Sequence, residues 1–219
     1  MNRKSKIQIF TGLAFTIAFA VWTLLVLCVD IREIGPCGSS VGFAELNGRF
    51  HSLTGENMLL YVITDWLGLL PIAIAFCFAL LGLIEWIKRK SILKVDYTVL
   101  ILGGFYILVI AVYLFFESVV INYRPVLIDG YLEASYPSST TMLVTTVMPS
   151  ALMEVLRRIK RGRVRTLAVI SVFLFTAFMV VGRIISGVHW ITDIIGGGLI
   201  SAGLLFFYAG VCNLKEKIG

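Results

Sequence analysis

Charge is what this 219-residue sequence has least of: Asp, Glu, Lys and Arg make up 15% of it, against 58% hydrophobic residues. A soluble domain carries about 25% charged residues, so water is excluded as the main solvent. Histidine is scarcer still, with two in the chain, and the four cysteines are scattered. Cys28, Cys77 and Cys212 lie in or at the ends of apolar runs and Cys37 stands alone in a polar stretch. Neither a disulfide framework nor a thiolate metal site is implied. Repeats, low-complexity linkers and a soluble domain are missing as well, the longest polar stretch being the glycine-rich segment 30–56. A single membrane domain accounts for residues 1–219.

Long uncharged runs are what the sequence has instead. A bilayer core of roughly 30 Å needs about 20 apolar residues per helix, and five runs are clear: 7–29, 67–83, 97–116, 167–182 and 194–212. A shorter sixth, 140–152, lies between a turn at 136–139 and Arg157, and approaches spanning length if counted from Ser138. The expected fold is all-α, a polytopic bundle of about six transmembrane helices. The first run, flanked by Arg3, Lys4 and Lys6, exceeds a signal-peptide core and precedes no small-residue cleavage site, which predicts a retained helix. Segment 56–71 contains Asp65 and Pro71 and is expected to begin at the interface and break before crossing. The glycines at 196–198 read as close helix packing in lipid.

The basic residues set an orientation. Segments 2–6, 88–94, 157–165 and 215–217 hold fifteen of the nineteen Lys and Arg, and the positive-inside rule makes them cytoplasmic. Both termini are then cytoplasmic, 30–56 is an outer loop, and Arg32, Arg49, Arg124 and Arg183 are left outside. The net charge of +6 belongs to loops beside anionic headgroups, so a nucleic-acid partner is not implied.

Three polar clusters, 117–125, 136–142 and 182–193, share the outer side. Ionisable residues at membrane helix ends are costly unless they snorkel, pair or function, and three clusters on one face point to a site. His189 and Asp193 are four apart and lie on one face of a helix starting near Val188. The carboxylate could hold one ring nitrogen and leave the other basic enough to attack an electrophile. Arg124 and Arg183 could clamp a phosphate beside it. The helix starting near Ser138 and Ser139 offers amides and hydroxyls to an anion. With His51 the only other histidine, zinc lacks ligands, and no metal or cofactor is expected.

These clusters resemble the type 2 phosphatidic acid phosphatase (PAP2) superfamily over nearly the whole chain. That family's pattern is a Lys separated by six residues from Arg-Pro, then Pro-Ser-Gly-His, then Ser-Arg, five residues, His, three residues, Asp. Arg124-Pro125, Pro137-Ser138, Arg183, His189 and Asp193 match it in spacing. The resemblance implies that His189 is a nucleophile forming a phosphohistidine and that Asp193 orients it. It also implies that Arg124, Arg183 and the backbone near Ser138 and Ser139 hold phosphoryl oxygens, without a metal. Four positions depart: Glu117 for Lys, Ser139 for Gly, Thr140 for His and Gly182 for Ser. The histidine absent at Thr140 would protonate the leaving oxygen, a contribution of about 10²–10⁴ in rate. A carboxylate at Glu117 about 4 Å from a phosphate would cost roughly 4 kcal/mol unless it turned away, paired or were protonated, in which case it could replace the missing acid.

The expected function is a lipid phosphate phosphatase at the non-cytoplasmic face of the cell membrane, favouring diphosphates such as prenyl diphosphate. The alternative is a weak or inactive relative that binds lipid phosphates. An ion-coupled transporter would need ionisable groups near the midplane, for which Asp65 is the one candidate.

Overall fold

The computed structural model describes residues 2–214, so the basic segment at 215–217 lies outside the described residues. Among these residues the regular structure is helical: α1 (Arg3–Cys28), α2 (Ala44–Thr54), α3 (Met58–Leu67), α4 (Leu69–Arg89), α5 (Tyr97–Ser118), α6 (Ser139–Arg158), α7 (Arg163–Ile185) and α8 (Ile191–Cys212). Six spans are long and apolar enough to cross a bilayer, α3 and α4 forming one of them, Met58–Arg89. The protein is a multi-pass membrane protein. Residues such as Phe10, Ile107 and Phe173, each about two-thirds exposed, are costly in water and favourable against hydrocarbon.

The second span starts as the separate helix α3 at Met58 and is broken within segment 56–71, where the sequence placed a break. The interruption is confined to Gly68, itself in helical conformation, because Pro71 cannot donate to the Leu67 carbonyl one turn earlier.

Helices α6 and α8 are half-buried and form the centre. α8 lies along α1 at backbone contact: a Cβ on Gly203 would come within 2.7 Å of Thr16 Oγ1. Small residues permit this approach, and dispersion and interhelical hydrogen bonds then hold helices together in lipid. Ser5 Oγ, for instance, donates to the Gly210 carbonyl at 2.8 Å. Gly196 and Gly197 serve the same purpose at the other end of α8, where added Cβ atoms would meet the Tyr136 ring and the Ser138 carbonyl. Gly198 has nothing within 4 Å.

At one end of the bundle a buried carboxylate ties three helices. Glu154 on α6 accepts from Arg157 and Arg158, each at 2.5 Å, from Tyr208 Oη on α8 at 2.6 Å and from Thr98 Oγ1 on α5 at 2.8 Å. The opposite end gathers segments 29–57, 119–138 and 186–190, and the three polar clusters lie in the last two of these and in the helix ends beside them.

Candidate active site

The segment between α5 and α6 is a short hairpin. Asp129 and Gly130 both have positive φ, 51° and 83°, as a two-residue type I′ turn requires, and Ile128 pairs with Tyr131 across it. Further along, the Arg124 amide donates to the Glu133 carbonyl at 3.0 Å and the Ser135 amide to the Asn122 carbonyl at 2.9 Å. The register sets Arg124 beside Glu133, whose Oε2 lies 3.0 Å from Nε. That ion pair is out of line for a hydrogen bond, leaving Nε without one.

Between α7 and α8, Gly187 takes a positive φ of 69° and the chain leads through Val188 and His189 to Trp190, the N-cap of α8. The His189 imidazole is buried, its Nε2 3.2 Å from Arg124 Nη1. A guanidinium only donates, so Nε2 accepts and the proton sits on Nδ1. Nδ1 is 3.7 Å from Asp193 Oδ2, beyond hydrogen-bond reach, and has no other partner. The fully buried Asp193 instead accepts from the Trp190 amide at 3.0 Å, half of a capping box, and from Asn122 Nδ2 at 3.4 Å. The four-residue spacing brings the pair together, and the helix start claims the carboxylate. Burial, and then the charges of Arg124 and Arg183, hold His189 well below the ordinary histidine range. It is neutral at physiological pH.

A cavity of about 510 Å³ opens on this imidazole, lined also by Arg124, Glu117, Glu133, Tyr123 and Ser139. Glu117 thus faces the same space as the nucleophile candidate. Ser138 is fully buried and serves as the α6 N-cap, accepting from the Thr141 amide at 3.4 Å. Its own amide donates to the Asp193 carbonyl at 3.0 Å, and Ser139, with Ser135, stands on the cavity wall instead.

Arg183 and Thr140 form a second group. Arg183, only 1% exposed, donates from Nη2 to Thr140 Oγ1 at 2.5 Å and to Asp65 Oδ1 at 2.7 Å. It lies over the Tyr61 ring at 4.9 Å, as Arg124 does at 5.9 Å. Asp65, considered above as a transporter group, is therefore the partner of Arg183. A second cavity of about 520 Å³ begins at Asp65 and Thr140 and continues between Leu69, Ile72, Val109, Ile110, Leu143 and Val147. The two cavities share Tyr113, Ser139 and Met142. Among the described residues no three His, Cys, Asp or Glu side chains gather as metal ligands.

Residues 98–215 match the model of the PAP2 superfamily. The chain belongs to that superfamily. The match begins in α5, so α1 to α4, with Tyr61 and Asp65, lie outside it. The fold is similar, with a TM-score of 0.53 at 16% identity, to the crystal structure of a transmembrane PAP2-type phosphatidylglycerolphosphate phosphatase from Bacillus subtilis. That similarity covers 95% of this chain and 99% of the other. No curated protein matches the sequence.

Sequence reasoning passed over Asn122, Tyr61 and the hairpin. The Asp129-Gly130 pair was a legible turn signal, but no local pattern marks Asn122 or Tyr61, which reach the site through packing.

Proposed function

We propose that the protein is a lipid phosphate phosphatase working through a phosphohistidine on His189 at the non-cytoplasmic face of the membrane. The observation that carries this reading is a buried imidazole whose Nε2 stands 3.2 Å from an arginine in a cavity large enough for a phosphate. In the first step Nε2 attacks the terminal phosphorus, an Nε2–P bond forms, and the P–O bond to the lipid portion breaks with its electron pair going to the leaving oxygen. Arg124 transfers its hydrogen bond from Nε2 to a phosphoryl oxygen, and Asp193 favours the proton on Nδ1. Water then attacks the phosphohistidine, releasing inorganic phosphate and restoring the imidazole. The apolar second cavity suits the hydrocarbon chain of the substrate, since it lies next to the first, with Tyr113, Ser139 and Met142 lining both.

Lipid diphosphates fit this site better than monophosphates. A monophosphate expels an alkoxide about as basic as hydroxide, whose conjugate acid has a pKa of about 15.7, and Thr140 offers no acid. A diphosphate expels a monophosphate whose second pKa is about 6, which leaves as the anion.

The second reading, a binding protein with little turnover, draws on the pairing of both arginines with carboxylates, Arg124 with Glu133 and Arg183 with Asp65. Phosphate release from matched lipid mono- and diphosphates in detergent separates the two. Faster release from the diphosphate is expected, a monophosphate preference refutes the leaving-group argument, and no release from either favours the binding reading.

A further inference from the structure

Segment 186–190 must hold His189 steady, yet it is non-helical and turns through Gly187 at positive φ. Its supports come largely from α2, a helix of the outer loop that the family match does not reach. His51 Nε2 is 3.1 Å from the Gly187 carbonyl, and because that oxygen only accepts, Nε2 carries the proton and donates. One turn earlier, the buried Asn47 donates to Thr192 Oγ1 at 3.0 Å and accepts from the Thr192 amide at 3.3 Å. The two side chains, i and i+4 on one helix face, grip the backbone two residues before His189 and three after it.

The helix is itself fixed. The Phe43 and Ala44 amides donate to the Val29 and Asp30 carbonyls beyond α1 at 2.8 and 2.9 Å. Phe43 stacks on Trp22 at 5.2 Å, and Trp22 Nε1 donates to the Thr192 carbonyl at 3.1 Å. At its other end α2 meets the loop directly: a Cβ on Gly187 would stand 1.9 Å from the Gly55 carbonyl. Asn57 completes the contact, its amide donating to the Ser186 carbonyl at 2.9 Å.

We infer that Asn47 and His51 are positioning residues that hold the His189 loop in register for attack on phosphorus. This inference rests on the phosphatase reading for its kinetic consequence and on geometry alone for its structural one. Neither residue touches the cavity beside His189, so substrate binding should be largely indifferent to them. A misplacement of about 1 Å costs about 10²-fold in rate, and the loss should fall on kcat. A histidine donates from Nε2 whether neutral in this tautomer or protonated, so a glutamine amide can stand in for it.

The test uses the full-length protein in detergent with farnesyl diphosphate as substrate. His51→Ala and Asn47→Ala should lower kcat about 10- to 100-fold with KM changed less than about twofold. His51→Gln should recover most of the loss. Arg49→Gln, on the exposed face of α2, should match wild type. Amide hydrogen exchange of 186–193 should accelerate in both alanine variants and return towards wild type in His51→Gln. Unchanged kcat, a loss confined to KM, no rescue by glutamine, or an equal loss in Arg49→Gln would each overturn the inference. If wild type releases no phosphate, the phosphatase reading fails while the exchange comparison still decides the clamp: acceleration in the alanine variants supports it and unchanged exchange refutes it.

Discussion

Arg124 Nη1 and His189 Nε2 stand 3.2 Å apart, the guanidinium donating to the nitrogen that would attack phosphorus. The contact keeps Nε2 unprotonated and, under the proposed mechanism, holds a donor for phosphate beside the attacking atom. His189→Ala is expected to abolish phosphate release from lipid diphosphates, and Arg124→Ala to lower kcat about 10²–10³-fold, the usual loss for a donor aimed at developing charge. Steady-state kinetics on purified variants that elute like wild type would check this. Residual turnover by His189→Ala near the wild-type rate would remove it as nucleophile.

Thr140 accepts from Arg183 and can supply no acid, so its hydroxyl has little catalysis to lose. Thr140→Ala should cost less than about tenfold in rate, within the worth of one hydrogen bond to a charged group. Thr140→His should raise kcat/KM for a lipid monophosphate more than for the matched diphosphate. An equal rise for both would show that leaving-group protonation is not what position 140 controls.

Acid should destabilise the fold through His189. Its native pKa lies well below the value of about 6.5 expected in the unfolded chain. Below pH about 6.5 the unfolded state therefore binds a proton that the native state does not. Stability falls with pH from there down to the depressed native value, by at most about 1.4 kcal/mol per pH unit. Thermal melts between pH 7 and pH 5 should show a steeper loss in wild type than in His189→Gln. Parallel curves would mean that the imidazole is not buried neutral.

Glu154 gathers two arginines, a tyrosine and a threonine in a fully buried position. Glu154→Ala leaves Arg158 with Asp96 alone among the described carboxylates and removes the acceptor of the buried Tyr208 hydroxyl, and should destabilise by about 1–3 kcal/mol, with Glu154→Gln in between. A drop in melting temperature in detergent measures this, and an unchanged melting temperature would refute it.

Orientation can be read from Cys37, exposed in the loop at the same end as the site. In a Cys28→Ser background, since Cys28 is exposed at the same end, a membrane-impermeant maleimide should label Cys37 in intact cells, and Cys37→Ser should abolish that labelling. Labelling only after lysis would place the site on the cytoplasmic side.

The sequence by itself determined the six spans, because hydrocarbon demands long uncharged segments whose backbone bonds close internally. Motif spacing likewise picked out Arg124, Arg183, His189 and Asp193 as candidates, but the tertiary structure sets Arg124 against His189 and gives Arg183 to Thr140 and Asp65. What those residues touch was decided by the tertiary structure. The i,i+4 spacing of His189 and Asp193 suggested a hydrogen bond, yet the carboxylate faces the Trp190 amide, because an unpaired donor at a buried helix start is costly. Asp65 and His51 lie far along the chain from the residues they meet, and only the seating of α3 against α7 and of α2 against α8 turns them into partners of Arg183 and of the Gly187 carbonyl. Such contacts have no period to betray them in a sequence, for they depend on how closely helices approach where glycine and serine leave room.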